Sequence, residues 1–290
     1  VGFAPVPPQG EQELINVMEG VEDIPGTALY EGIDWGQWET FPEYLDYLDG
    51  REYALDISAQ IPHAALRSYV MGERGRANGP ATDDDMRIMA QHVEEALEAG
   101  AVGFSTSRTI GHRAMDGQPI PGTIAADEEI MHFAEAMKRA GKGVFELIPS
   151  GSIGDLEHLG GEMNTIDEEI TLLDKVSRAS GRPVTFTTVQ HNQFPDDWRH
   201  VLERSAQLNA EGSQLHPQVT SRPIGLVTNL RTYHMFERRE TFLKLAELPF
   251  EQLIAELQKP EVRAAILSDK DIPSGKAGMM ANAHMMFKGI

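Results

Sequence analysis

Polar and ionisable side chains recur within or directly after short apolar segments of this sequence. Each apolar segment is typical of a strand that is covered on both faces. The residues concerned are Arg108, His112, Glu146, Gln190, His191, His216 and Arg222. Because the carboxyl ends of parallel strands meet at one edge of a sheet, we expect these side chains to converge on one site. The alternative is that they satisfy the backbone groups of surrounding loops.

Glu146 is the strongest single candidate, because it lies between Phe145 and Leu147 inside an apolar segment. A carboxylate in such surroundings is costly unless it is paired or binds a metal ion. We predict that its side chain faces inward and is mostly buried. A structural ion pair with an arginine such as Arg108 is the alternative.

The other candidates are predicted to contact a substrate. Arg108, His112 and Arg222 are expected to hold an anionic substrate, because a guanidinium binds a carboxylate through two parallel hydrogen bonds. Gln190 and His216 are predicted to contact the same molecule. Familiar catalytic motifs do not occur, since the sequence has no H-x-H, H-E-x-x-H or G-x-S-x-G pattern.

A repeated unit of a helix, a glycine and a short apolar strand must position these residues. The units end their helices at glycines 100, 141, 181 and 212, and such alternation predicts parallel β-α-β units. The predicted helices are Asp83–Ala99, Asp127–Ala140, the segment capped by Thr165 that ends at Gly181, and Asp196–Glu211. The predicted strands begin at Ala101 and cover Val144–Ile148, Val184–Val189 and Gln214–Val219, with two more at Leu55–Ile61 and Gly2–Val6. Further helices are predicted at Glu240–Leu257 and Pro260–Leu267, before a Met-rich tail.

Two α/β architectures fit this pattern: a doubly wound sheet and a (β/α)₈ barrel. No glycine-rich phosphate loop follows a strand, which weakens the nucleotide-binding version of the doubly wound sheet. We therefore predict a barrel. Because the sequence provides six of the eight strands, the prediction is an incomplete TIM-type barrel at residues 1–225, with two strands outside this chain. A helical extension is predicted at residues 226–290.

Composition excludes several classes of function. The chain has 290 residues and a formal net charge of −20, which argues against nucleic acid or an anionic membrane as a partner. It contains no cysteine, so a thiolate zinc site and a cysteine nucleophile are excluded. No signal peptide or long apolar run is present, and we expect a cytoplasmic location.

Several segments together closely resemble the N-acyl-D-amino-acid deacylase (D-aminoacylase) branch of the amidohydrolase superfamily. They are Val1–Pro5, Met18–Gly26 (MEGVEDIPG), Tyr69–Gly72, Gly103–Arg108 (GFSTSR) and Pro121–Thr123. The similarity runs from about Val1 to Leu267. It implies a metal-dependent hydrolase on a (β/α)₈ barrel, in which a zinc-activated water attacks an amide carbonyl.

The resemblance also implies metal ligands that this sequence does not show. The H-x-H motif and the cysteine of the family would precede Val1, and its catalytic aspartate would follow Ile290. Two further ligand histidines correspond to Ile148 and Thr188. We therefore expect a central part of a longer protein, in which another metal set replaces the usual one.

Glu146 and His191 are predicted to contact that metal, which is zinc or another divalent ion in the parent protein. Glu146 and Gln190 lie two residues from the missing histidine positions, on the same strand faces, and are expected to substitute. A catalytic zinc needs three protein ligands, so we expect this chain alone to bind zinc weakly or not at all and to lack hydrolase activity. Open sheet edges are expected to make it self-associate.

Three functions remain open at this point. The first is a metal-dependent hydrolase that acts on an N-acyl (D-)amino acid or a related C–N bond of a small molecule. The second is a non-catalytic barrel module that has lost its metal ligands and serves in assembly or ligand binding. The third is a barrel hydrolase that uses Glu146 as a general base without a metal.

Overall fold

The structure is a computed structural model that describes residues 1–22, 24–150, 164–190, 195–221, 229–230, 234–270 and 272. The strands are β1 (Gln60–Pro62), β2 (Gly103–Ser107), β3 (Val144–Ile148), β4 (Val184–Thr187) and β5 (Leu215–Gln218). The helices are α1 (Glu11–Glu22), α2 (Gly26–Gly32), α3 (Phe41–Asp49), α4 (His63–Met71), α5 (Glu73–Arg76), α6 (Asp83–Ala99), α7 (Asp127–Ala140), α8 (Ile166–Ser180), α9 (Asp197–Ala210), α10 (Glu240–Leu245), α11 (Phe250–Leu257) and α12 (Pro260–Ser268). None of these helices has the length and apolar character needed to cross a membrane.

The described strands form one sheet in the order β1-β2-β3-β4-β5, and every neighbouring pair is parallel. A helix follows each of the first four strands before the next strand begins. This confirms the predicted α/β class with parallel β-α-β units.

The helix ends follow the local sequence signals. Thr82 at the start of α6 and Thr165 at the start of α8 each form a capping box with the acidic residue three positions later. Gly100 ends α6 at a φ of 119°, in the left-handed region that favours glycine. The predicted bounds of α6 and α7 are confirmed.

The core lies between one face of the sheet and helices α6, α7 and α8. Phe104, Phe145 and Leu147 are fully buried in it. Helix residues such as Val93 and Phe133 belong to the same cluster. Because successive strand residues point to opposite faces, Ser105 and Glu146 lie on the other face of the sheet, which we call the inner face.

The register aligns four inner-face residues in one row across the sheet. Ser105 pairs with Glu146, Glu146 with Thr185, and Thr185 with His216. In-register residues of parallel strands share a face. The row therefore carries one polar or ionisable side chain from each of β2, β3, β4 and β5.

The predicted strand at Gly2–Val6 is wrong. This segment is irregular, and its polar groups bond to a loop instead of a neighbouring strand. The Val6 amide donates to the carbonyl of Glu39, and the Trp38 indole donates to the carbonyl of Phe3 at 2.9 Å. The described residues therefore contain five strands, one fewer than predicted.

Two other segments differ from the prediction in their bounds. The strand expected at Leu55–Ile61 forms only at Gln60–Pro62, opposite Gly103, and Leu55 is 78% exposed. The helix expected at Glu240–Leu257 is divided into α10 and α11. Pro249, at the N-cap of α11, separates the two, because proline disfavours the helical conformation of the residue before it.

Helices α10, α11 and α12 have a small core of their own. Phe242, Leu253 and Ile266, one from each helix, form a separate buried cluster. The domain boundary at residue 225 stays a prediction. The tail at Ser274–Ile290 lies outside the described residues.

A buried ionic network holds α4 and α7 together behind the sheet. Arg67 donates to both carboxylate oxygens of Glu129, at 2.8 and 3.2 Å. His63 places Nε2 2.7 Å from the same carboxylate and Nδ1 2.8 Å from the Thr106 hydroxyl. These contacts with His63 and Arg67 lower the pKa of Glu129 to about 2, against the effect of burial. His63 therefore has a structural role that links helix and strand.

Replacing Glu129 with glutamine is expected to destabilise the protein by about 3 kcal/mol or more at neutral pH, since Arg67 loses its buried counter-charge. The folded-state pKa lies below the ordinary value of 4.5, so this stabilisation is present above about pH 4.5. It is lost as the pH falls towards about 2. Urea denaturation should show that the free energies of unfolding of Glu129→Gln and the wild-type protein become more similar as the pH falls from about 4.5 to about 2. Glu135→Gln, an exposed change on the same helix, serves as control, and an equal loss there would contradict the assignment.

Candidate functional site

A polar cavity of about 310 Å³ lies on the inner face of the sheet. We call it the inner cavity. Residues from β1, β2, β3, the loop after β2, α1 and the first residue line it. They are Val1, Val21, Glu22, Gln60, Ser105, Thr106, Ser107, His112, Glu146 and Ile148.

Glu146 and Gln60 form a polar pair in the cavity lining. The Gln60 amide donates from Nε2 to Oε2 of Glu146 at 2.8 Å. The other amide atom, Oε1, is buried without a hydrogen-bond partner in the described part of the chain. Glu146 lies on the inner face and is half-buried. The partner of Glu146 is therefore the amide of Gln60. Arg108, which the sequence analysis considered as an alternative partner, binds Glu169 instead.

His112 and Ser107 form a second polar pair in the inner cavity. The Ser107 Oγ and His112 Nδ1 atoms are 3.0 Å apart. Burial lowers the pKa of His112 to about 4. The imidazole is therefore uncharged near neutral pH, which suits a hydrogen-bonding role and not the binding of an anion by charge.

The loop that carries His112 is fixed by contacts on three sides. The Asn78 side chain donates to the carbonyls of Pro119 and Ile120 at 3.0 Å, and it accepts from the Gly122 amide at 2.9 Å. Ile120 is itself buried against α1 and α4. His112 is therefore held by a loop with several independent anchors.

Gly20 brings α1 against the same loop. A Cβ at position 20 would lie 2.3 Å from the carbonyl oxygen of Arg113. No side chain fits at that distance, so glycine is required for the close approach. The amide of Met115 also donates to the carbonyl of Asn16 on α1. The MEGVEDIPG and GFSTSR segments thus meet at the inner cavity.

The side chains of the inner cavity that carry a charge at neutral pH are acidic. Glu22 and Glu146 contribute carboxylates, and the lining residues that the structure describes include no lysine or arginine. A substrate carboxylate would therefore need a cation from another part of the protein.

Arg108 does not face the inner cavity, which corrects its predicted role. Its guanidinium lies among the helices, where it donates to Glu169 at 3.0 Å, to the Ala125 carbonyl at 3.0 Å and to Asp127 at 3.2 Å. Only 8% of the residue is exposed. Because Phe104, Thr106 and Arg108 alternate with the inner-face serines, strand geometry directs Arg108 to the helical side. We assign it a structural role.

The remaining predicted residues are placed as follows. His216 lies in the inner-face row on β5 and is exposed. Gln190 follows β4, is exposed, and donates weakly to the Pro195 carbonyl at 3.5 Å. His191 and Arg222 lie outside the described residues.

Ser107 and Gln60, which form the two polar pairs with the predicted residues His112 and Glu146, were not among the candidates of the sequence analysis. Ser107 is part of the GFSTSR segment, and its inward orientation could have been read from the alternation with Phe104 and Thr106. Gln60 lies at the end of a predicted strand, but only the paired register shows that it reaches Glu146 across β2. No sequence signal specifies the contact between Gln60 and Glu146.

The described residues do not fit a catalytic metal centre. Within them no group of three or more histidine, aspartate or glutamate side chains is arranged to hold a metal ion. A catalytic zinc uses three protein ligands and one open position. Glu146, the predicted ligand that is described, is bound to Gln60.

A sequence profile described as the amidohydrolase family matches residues 9–277 of the chain. That range covers the five strands, helices α1 to α12 and the lining of the inner cavity except Val1. The chain belongs to the amidohydrolase family.

Within this family, the chain is similar to D-aminoacylases. It is 37% identical over 70 residues to the D-aminoacylase and to the N-acyl-D-aspartate deacylase of Alcaligenes xylosoxydans xylosoxydans. Each match covers 24% of this amidohydrolase-family chain and 14% of the relative.

The fold is similar to that of a crystallised D-aminoacylase, which is described as defining a novel subset of amidohydrolases. The TM-score is 0.50 at 21% identity, and the match covers 75% of this chain and 39% of the other. This supports the prediction of an incomplete (β/α)₈ barrel, of which the five-stranded parallel sheet is the described part.

Replacing Gly20 with alanine is expected to loosen the loop that carries His112, because the added methyl group would overlap the Arg113 carbonyl. Hydrogen exchange of the backbone amides at residues 109–124 should become faster. Gly32→Ala is the matched control, since a Cβ there meets no atom within 4 Å. Unchanged exchange in Gly20→Ala would show that α1 does not fix the loop.

Proposed function

We propose that the protein that carries this sequence hydrolyses a C–N bond of a small amide substrate bound in the inner cavity. The observation that carries this proposal is the Glu146–Gln60 pair, which faces the cavity in a chain of the amidohydrolase family. The cavity presents acceptors, hydroxyls and an uncharged imidazole within one pocket, which suits recognition of an amide group.

Glu146 is the proposed general base. It accepts a proton from the attacking water as the new C–O bond forms at the carbonyl carbon. It then returns that proton to the nitrogen as the C–N bond breaks, which releases a carboxylic acid and an amine. The hydrogen bond from Gln60 Nε2 orients the carboxylate of Glu146.

An N-acyl amino acid is the proposed substrate class. Two relatives, each 37% identical over 70 residues, are named D-aminoacylase and N-acyl-D-aspartate deacylase. Arg222 remains the proposed anchor for the substrate carboxylate, because the described cavity lining has no lysine or arginine side chain. Gln190 and His216 remain proposed contacts at the rim.

A divalent metal, zinc in the first instance, remains the proposed cofactor, with Glu146 and His191 as contacts. When bound, such an ion would activate water and polarise the carbonyl. The described residues do not provide the remaining ligands, so the roles given above are those of the side chains alone.

Two further predictions are kept as proposals. A cytoplasmic location rests on the lack of cysteine. Self-association rests on β1 and β5, which are the edge strands of the described sheet, since unpaired strand edges recruit other chains.

Replacing Glu146 with glutamine is expected to reduce kcat/KM for N-acyl amino acids by roughly 10²-fold or more, because the general base is lost. Turnover of N-acyl-D- and N-acyl-L-amino acids by the purified parent protein that carries this sequence provides the measurement. Glu135→Gln, the same chemical change on the exposed face of α7, should leave the rate unchanged. Full activity in Glu146→Gln would remove Glu146 from the mechanism. A wild-type protein without turnover on any of these substrates would favour the non-catalytic module.

Zinc is expected to bind the 290-residue chain only weakly, since fewer than three ligands are grouped among the described residues. Calorimetric titration with zinc should therefore show no tight stoichiometric site. Tight one-to-one binding that is weakened in Glu146→Gln would contradict this expectation and would establish Glu146 as a ligand.

A further inference from the structure

The Ser107–His112 pair is a group of the inner cavity to which amide hydrolysis by Glu146 assigns no role. Both residues line the cavity, and the pair is closed by a 3.0 Å contact between Ser107 Oγ and His112 Nδ1. Ser107 lies at the last position of β2, and His112 lies five residues later in the anchored loop. The two side chains are thus positioned by different parts of the fold.

The cavity needs a hydrogen-bond donor at the carbonyl oxygen of an amide. Negative charge develops on that oxygen when water adds to the carbonyl carbon, and fixed donors stabilise it. The acidic side chains of the described lining, Glu22 and Glu146, are carboxylates, which accept hydrogen bonds and repel a developing oxyanion. The imidazole of His112, which lines the cavity, can donate a hydrogen bond from a ring N–H.

The tautomer of His112 decides whether it can donate into the cavity. A neutral imidazole has one N–H, and the other nitrogen is an acceptor. A serine hydroxyl that donates to Nδ1 leaves the ring proton on Nε2. Burial keeps the ring neutral, because it lowers the pKa of His112 to about 4.

We propose that Ser107 holds His112 as the neutral Nε2–H tautomer, and that His112 donates from Nε2 to the carbonyl oxygen of the bound amide. Ser107 is then a positioning residue and His112 a catalytic one. The donor role of His112 rests on the proposed amide hydrolysis, whereas the tautomer of His112 does not. The role differs from the binding of a carboxylate by a charged histidine, which an imidazole of this low basicity does not support.

Rigidity of the loop makes this donor effective. Asn78 binds the loop through three hydrogen bonds, and the contact of Gly20 with the Arg113 carbonyl closes its other side. A donor that is already in place requires no reorganisation when charge develops on the substrate.

Long-range ¹H–¹⁵N correlation spectra of the histidine-labelled protein test the tautomer directly. The ten histidines are separated by assigning the resonance that is lost in His112→Gln, with sequential assignment as a second route. Between pH 6 and 8 we expect the Nε2–H pattern for His112. A protonated Nδ1, or a charged ring, would overturn the proposal even if the wild-type protein hydrolyses amides.

Ligand binding tests the donor role in the same spectra. N-acetyl-D-alanine, which has an amide carbonyl, is expected to move the His112 Nε2–H proton downfield, whereas D-alanine, which lacks the amide, should not. No shift at high N-acetyl-D-alanine, or equal shifts with both compounds, would overturn this half of the proposal.

The Ser107→Ala variant connects the tautomer to activity. It is expected to give a mixture of His112 tautomers and to lower kcat in proportion to the lost Nε2–H fraction, by roughly 2- to 10-fold, with a small change in KM; loss of the donor itself would cost roughly 10²-fold. An altered kcat with the tautomer unchanged would contradict the positioning role. Absence of turnover in the wild-type protein would count against the proposed hydrolysis, while the spectra would still decide the Ser107–His112 arrangement.

Discussion

The close approach of β2 and β3 sets the geometry on which the rest of the molecule depends. A Cβ on Gly103 would lie 2.1 Å from the carbonyl oxygen of Val144, so a residue without a side chain is needed where the two strands begin to pair. This contact starts a register that continues along both strands and places Ser105 beside Glu146. A slip by one residue would turn Glu146 into the apolar core and expose Phe145 to the cavity.

Much of this architecture is readable from the sequence because it is encoded locally. The capping box at Thr82 and the glycine at position 100 lie within one helix and predict its ends without knowledge of the remaining fold. The segment Gly2–Val6 shows the limit of such local reasoning. Its apolar composition fits a strand, but its hydrogen bonds go to a loop more than thirty residues away. Strand formation depends on a partner, which composition does not specify.

The candidate site was predicted less completely, for a related reason. Glu146 was found because a carboxylate between two apolar residues is unusual and therefore informative. Arg108 was assigned to the substrate although the alternation along β2 directs it to the helical side. Its buried partner Glu169 lies in a helix sixty-one positions away. The sequence identifies charged groups that need a partner. The partner itself is determined by tertiary packing, as the pairing of Glu146 with Gln60 also shows.

The contact of Gly20 with the loop that carries His112 has a consequence for how this protein can be altered. Helix α1 and residues 109–124 have complementary shapes, so neither can be redesigned on its own. A loop grafted from a relative would need its own version of α1, and a larger residue at position 20 would need a displaced loop. In library design or chimera construction the two segments should therefore be exchanged as one unit, although nearly ninety positions separate them along the chain.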